Sequence, residues 1–187
     1  MDIPLVNQIE SWKIEIIIKM IDKDINCPLT SGAGRFFDAI ASLLGLVQIA
    51  TFQAEGPMRL ESLVQHNISA SYPFTRGETI NMDETVHAIV DDILKNRGKT
   101  TIATKLHNTI ILTIFDTVSA LRLKEGINKV VLSGGVFQNK YLLEGTTELL
   151  QKNHFEVYSH ASVPTNDGGI ALGQLAVASK RRELKCV

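Results

Sequence analysis

The stretch that most restricts this chain runs from residue 129 to residue 180. Lys129-Val130-Val131-Leu132-Ser133 is a short β-branched, apolar run of the kind that forms a buried strand, and Gly134-Gly135 turns the chain directly after it. Gln138 to Lys152 reads as a helix, Phe155 to Ser159 as a second strand, 164–169 as a loop and Ile170 to Lys180 as a closing helix. Strand, helix, strand, helix in that order requires parallel strands joined by a right-handed crossover, which makes the fold class α/β. The tail from Arg181 to Val187 is charged and is expected to fray.

Upstream the pattern is helical. Residues 6–23 place Ile9, Trp12, Ile16 and Met20 at steps of three to four, an amphipathic helix. A breaker-rich loop at 27–34 leads to a helix from Arg35 to Leu44, ended by Gly45. Residues 52–57 read as a turn, Met58 to His66 as a short helix and 67–82 as strand or loop. Asp83 opens a helix with an acidic first turn. Thr100 or Thr101 is expected to cap a long helix that runs to Glu125, with Ile102, Leu106, Ile110, Ile114, Val118 and Leu121 as its apolar positions.

The charge balance narrows the function classes. Lysine plus arginine total 19 against 20 acids, a net charge of −1, so a broad nucleic-acid or membrane footprint is not expected. Apolar runs fall far short of the ~20 residues of a membrane span. Asp2, Glu10 and Glu15 argue against a signal peptide. Cys27 and Cys186 fit no metal-ligand spacing and read as free thiols of a reducing cytoplasm.

Three glycine-rich entries to helices carry the candidate chemistry. In Ser133-Gly134-Gly135-Val136-Phe137-Gln138-Asn139, glycines after a strand allow close approach of a ligand, and the helix that follows offers amides to a phosphate. The same sequence also suits a plain tight turn. In Thr165-Asn166-Asp167-Gly168-Gly169, Asp167 is either an N-cap or a carboxylate ligand for a metal, with the glycines leaving room beside it. In Ser31-Gly32-Ala33-Gly34-Arg35-Phe36-Phe37-Asp38, Asp38 is a ribose-binding acid or a solvated first-turn carboxylate. His107 on the long helix reads as packed or hydrogen-bonded. His66, His87, His154 and His160 show no paired ligand spacing, and no nucleophile–base pair is visible.

Taken together, LSGGVFQN at 132–139, VPTNDGGIALGQ at 163–174, SGAGRFFDAIASLLGL at 31–46 and IATKLHNTI at 102–110 resemble the closing part of HypF-type carbamoyltransferases of hydrogenase maturation. That resemblance implies an enzyme, similar to the threonylcarbamoyl-transferring enzymes of tRNA modification. It would cleave carbamoyl phosphate, use ATP to form carbamoyl-adenylate, and pass the carbamoyl group to the C-terminal cysteine of the partner HypE. It further implies the second lobe of an ASKHA (actin/Hsp70-like) fold, a mixed sheet with flanking helices, with residues 1–187 as one domain. By position, Gly134, Gly135 and Asn139 would line the nucleotide, Asp38 its ribose and Gly56 its adenosine, and Asp167 would bind a divalent metal. The family's H-x-x-x-H metal motif is absent, so a first lobe is expected to be missing, and a lobe surface left bare would favour homodimers. Phe52-Gln53-Ala54-Glu55 departs from the expected aromatic-Glu-Gly pattern, and Arg59 stands where an acid is usual. Two other readings stay open: a non-enzymatic ASKHA-type nucleotide-binding module, and a small α/β interaction domain whose glycine turns are only structural.

Overall fold

The computed structural model describes residues 3–185. Cys186 and the end of the expected frayed tail lie outside the described residues. The chain forms two compact units that divide between Ile110 and Ile111.

The first unit is helical: α1 (Pro4–Gln8), α2 (Ser11–Asp22), α3 (Ala33–Leu43), α4 (Glu55–Glu61), α5 (Asp83–Leu94) and the start of α6 (Lys99–Glu125). The single helix expected over 6–23 is two, separated at Ile9 and Glu10, both of which have extended ψ values. None of the residues of α2 is buried, so Trp12, Ile16, Ile17, Ile18 and Ile21 are exposed. The core of this unit comes from Phe37, Ile40 and Ala41 of α3, Leu60 of α4, Ile89 of α5, and Ile102, Ala103 and Leu106 of α6. Residues 67–82 are mostly loop. They contain a two-residue antiparallel ladder, β1 (Thr75–Arg76) with β2 (Ile80–Asn81).

Polar side chains of α6 strap this loop to the core. Thr104 Oγ1 accepts from the Gln65 amide at 3.0 Å and Thr109 Oγ1 from the Tyr72 amide at 2.8 Å. The Asn108 Nδ2 donates to the Ile68 and Ala70 carbonyls, each at 2.9 Å. Both threonines also back-bond to carbonyls one turn earlier, so the Gln65 amide and the buried Tyr72 amide are satisfied without a strand. Gly126, at φ +70°, ends α6 by donating its amide to Arg122 O at 2.9 Å.

The second unit holds β3 (Lys129–Leu132), α7 (Lys140–Lys152), β4 (Glu156–Ser159) and α8 (Ile170–Lys185). β3 and β4 are parallel, as their order requires, with Val130 opposite Val157 and Leu132 opposite Ser159. The expected mixed sheet is not formed among the described residues. Two separate two-stranded ladders, one antiparallel and one parallel, stand in its place. β3 is also only half-buried. Leu132 packs with Leu150 and Phe155, while Val131 is 68% exposed beside Tyr158 at 45%. One face of a two-stranded ladder covered by α7 leaves the other face open. α8 continues past Lys180 to Lys185, supported by a Lys180–Glu183 ion pair at 2.9 Å and by good helix formers.

Candidate functional site

The glycine turn closes β3. Gly134 sits at φ +100°, a backbone conformation that a side chain would strain, and a Cβ on either Gly134 or Gly135 would meet nothing within 4 Å. The turn is therefore open to an incoming group. It does not lead straight into an α-helix. Gly135–Gln138 is a 3-10 turn, and α7 begins only at Lys140. Asn139 is the N-cap of α7: it is buried, and its Oδ1 accepts from the Leu142 amide at 2.9 Å. Its carbonyl oxygen is thus committed to the helix, which the motif alone did not reveal.

The second motif shifts by one residue from the N-cap alternative. Asn166, not Asp167, caps the 3-10 turn Asp167–Gly169, its Oδ1 accepting from the Gly168 amide at 3.0 Å. The Asp167 carboxylate stays exposed. The glycines beside it do not leave the expected room: a Cβ on Gly169 would lie 2.8 Å from the Pro164 carbonyl and 3.2 Å from Val163 Cγ1. They close the loop on itself. Among the described residues, no three His, Cys, Asp or Glu side chains gather as a metal site.

One pair at this end of the ladder was invisible to spacing. Ser133 Oγ and His160 Nε2 lie 2.8 Å apart. They are far apart in sequence, and only the β3–β4 register, read one step beyond Leu132 and Ser159, brings them together.

In the first unit, Asp38 and Gly56 adjoin. Asp38 lies in the second turn of α3 rather than the first, and its carboxylate is exposed. Gly56 is not in a turn. α4 starts at Glu55, after Ala54 at φ +62°, and Gly56 is buried against α3. The early start of α4 follows from Glu55. Its carboxylate accepts from the Thr51 amide at 2.8 Å, the Thr51 hydroxyl at 3.0 Å, and Arg59 Nε and Nη2 at 3.0 and 2.7 Å. The Thr51 amide first, and Arg59 next, hold this carboxyl below the ordinary range. Arg59, the departure noted in the motif, thus joins Thr51 in keeping Glu55 ionised in a buried position.

His107 is packed, as a lone helical histidine is expected to be. It is fully buried, its Nδ1 lies 2.7 Å from the Ala103 carbonyl, and its ring meets Phe37 edge-on at 5.1 Å. Burial lowers its pKa to about 4, against the opposing pull of the Ala103 carbonyl.

These features define an α/β protein of small sheets and many helices whose open glycine turn ends a parallel strand. The chain belongs to the family described as "Carbamoyltransferase, Kae1-like Domain, second subdomain", which matches residues 3–174. It is similar to the carbamoyltransferase HypF of Synechocystis sp., at 36% identity over 85% of this chain and 21% of the relative. It is also similar to a probable carbamoyltransferase HypF of Methanocaldococcus jannaschii, at 30% identity over 87% of this chain and 21% of the relative. The chain therefore spans about a fifth of the length of the curated relatives it matches. Among solved structures it resembles full-length HypF in the phosphate- and nucleotide-bound form, with TM-score 0.87 and 41% identity over 94% of this chain and 24% of that one. T. kodakarensis HypF, at 24% identity over 91% of this chain and 22% of that one, shares the fold with TM-score 0.79. No helix among the described residues is long and apolar enough to cross a membrane.

Proposed function

We propose that this chain is the nucleotide-binding second lobe, of the ASKHA class, in the C-terminal part of a HypF-type carbamoyltransferase. The longer protein would cleave carbamoyl phosphate, use ATP to make carbamoyl-adenylate, and transfer the carbamoyl group to the C-terminal cysteine thiol of HypE in the cytoplasm. Hydrogenase maturation would receive its cyanide-ligand precursor this way. The observation that carries the reading is the open Gly134-Gly135 turn at the C-terminal end of a parallel strand. Ligands of open α/β sheets gather outside such strand ends. The likeness to a solved HypF described as phosphate- and nucleotide-bound supports it.

In this reading the chain's residues bind and orient rather than react. The backbone at Gly134 and Gly135 approaches the nucleotide phosphates, and Asn139 holds α7 in register behind them. Asp38, exposed on α3 beside Gly56, would be a ribose-binding acid by its place in the motif. Asp167, relieved of capping by Asn166, is the carboxylate this chain offers to a divalent metal. Such a metal, when bound, would neutralise phosphate charge. In this reading the attacking thiol belongs to the partner protein.

Calorimetric titration with ATP, with and without magnesium, tests this. A Cβ at Gly135 meets none of the protein's own atoms within 4 Å, so Gly135→Val adds its bulk on the open side of the turn where the ligand would lie. Saturable binding that disappears in Gly135→Val, with its metal dependence lost in Asp167→Ala, is the expected result. ATP affinity unchanged in Gly135→Val would overturn the placement of the phosphates. Equal binding with and without magnesium would favour a nucleotide-binding module without the metal-assisted chemistry.

A further inference from the structure

The register of β3 and β4 carries one step past the ladder, where Ser133 Oγ meets His160 Nε2 at 2.8 Å. Both residues are exposed, and Ser133 directly precedes Gly134, whose surroundings are open. A serine hydroxyl has one proton to donate, and a neutral imidazole donates from one nitrogen and accepts at the other. If His160 accepted through Nε2, the Ser133 proton would be consumed and the hydroxyl would turn only lone pairs outward. If His160 donates through Nε2, Ser133 Oγ accepts, and its own proton remains for an acceptor on the solvent side.

We propose that His160 is a positioning residue that donates to Ser133 Oγ and thereby aims the Ser133 hydroxyl proton at an anionic phosphate oxygen held at the Gly134-Gly135 turn. This rests on the reading of that turn as a phosphate site. The two residues directly follow the paired ends of β3 and β4, so the hydroxyl is oriented before the anion arrives, and less rotor freedom is lost on binding. A hydrogen bond to a charged acceptor is stronger than one between neutral groups, so the contact contributes to affinity. The pair needs no carboxylate behind the imidazole because no proton leaves the serine.

The test uses the full chain and ATP. Ser133→Ala and His160→Ala are each expected to weaken ATP binding roughly ten-fold, and the double variant no further, because both remove one contact. His160→Gln, whose amide can donate to the same oxygen, is expected to recover most of the affinity. Nitrogen NMR of the imidazole is expected to show the proton on Nε2. Independent losses that add in the double variant, unchanged affinity in both single variants, or a proton on Nδ1 would each overturn the proposal. Gly135→Val run alongside separates the two readings. Loss of ATP there with full affinity in Ser133→Ala overturns the serine–histidine contact and leaves the turn as the phosphate site. A wild-type chain that takes up no ATP overturns both.

Discussion

A Cβ on Gly56 would stand 2.9 Å from Asp38 Oδ1 and 3.1 Å from Ala41 Cβ, so α4 approaches α3 as closely as a glycine permits. Alanine is favoured over glycine inside a helix by about 1 kcal/mol. Overpacking of a filled contact costs about 1–3 kcal/mol. Because Ala41 is fully buried and cannot swing aside, the second effect prevails. Gly56→Ala is expected to lower the thermal midpoint and to displace the Asp38 carboxylate. A midpoint raised above wild type would show that the two helices separate freely.

The buried His107 makes stability depend on pH. Its folded pKa of about 4 lies below the ordinary 6.5. The unfolded chain therefore takes up a proton near pH 6.5 that the folded chain refuses until about pH 4. The contribution is intact above pH 6.5 and is lost as pH falls to 4, by about 3 kcal/mol in all. Urea unfolding at pH 7 and pH 4.5 measures it. His107→Leu is expected to lose less stability across that interval, and equal losses would assign the pH dependence to other groups.

Asp92 Oδ2 receives both Lys105 Nζ at 2.7 Å and the Tyr72 hydroxyl at 2.9 Å, and the ammonium also lies 3.9 Å from the centre of the Tyr72 ring. Burial alone would raise the Asp92 carboxyl, but these two bonds prevail and hold it below the ordinary range. Burial, then Asp92, pushes the Tyr72 phenol up. Asp92→Asn leaves a largely buried cation without its counter-charge. The expected cost is about 2 kcal/mol, less than for a fully buried pair because both side chains keep some solvent contact. Chemical denaturation at pH 7 reads it directly.

Asn139 has a structural role that can be separated from any contact with nucleotide. Asn139→Ala removes the α7 cap and is expected to cost about 1 kcal/mol. Asn139→Asp keeps the cap and the thermal midpoint, yet its added negative charge is expected to weaken ATP binding. An aspartate variant that binds ATP as well as wild type would place Asn139 away from the phosphates.

The helices were legible because a 3.6-residue period writes itself along the chain, as in the buried Ile102, Leu106 and Ile110 of α6. The order of β3, α7 and β4 was legible from short apolar runs on either side of a helical one, and with it the parallel pairing. What failed was information that periodicity does not hold. An apolar stripe says nothing of what covers it, so the exposed Trp12 and Ile16 of α2 were not foreseen. Gly56 looked like a turn residue because the Glu55–Thr51–Arg59 bonds that start α4 early connect side chains rather than a pattern. In the candidate site the glycines announced the open turn. Whether Asn166 or Asp167 caps its turn depends on backbone angles within one residue. Ser133 and His160 needed the strand register before they could be seen as neighbours.

The pairing of β3 with β4 also sets an order of events when the chain is made. Residues opposite one another, such as Lys129 and Glu156, are far apart in sequence, and no hairpin can join parallel strands. The 13 residues of α7, about 20 Å of helix at 1.5 Å per residue, must bring the chain back before the first ladder bond can form. Leu150, near the end of that helix, packs on Leu132 and Phe155 and so rewards closure only once it is complete. On a ribosome the turn at Gly134 therefore emerges and waits, and it acquires its final shape only after His160 has been synthesised.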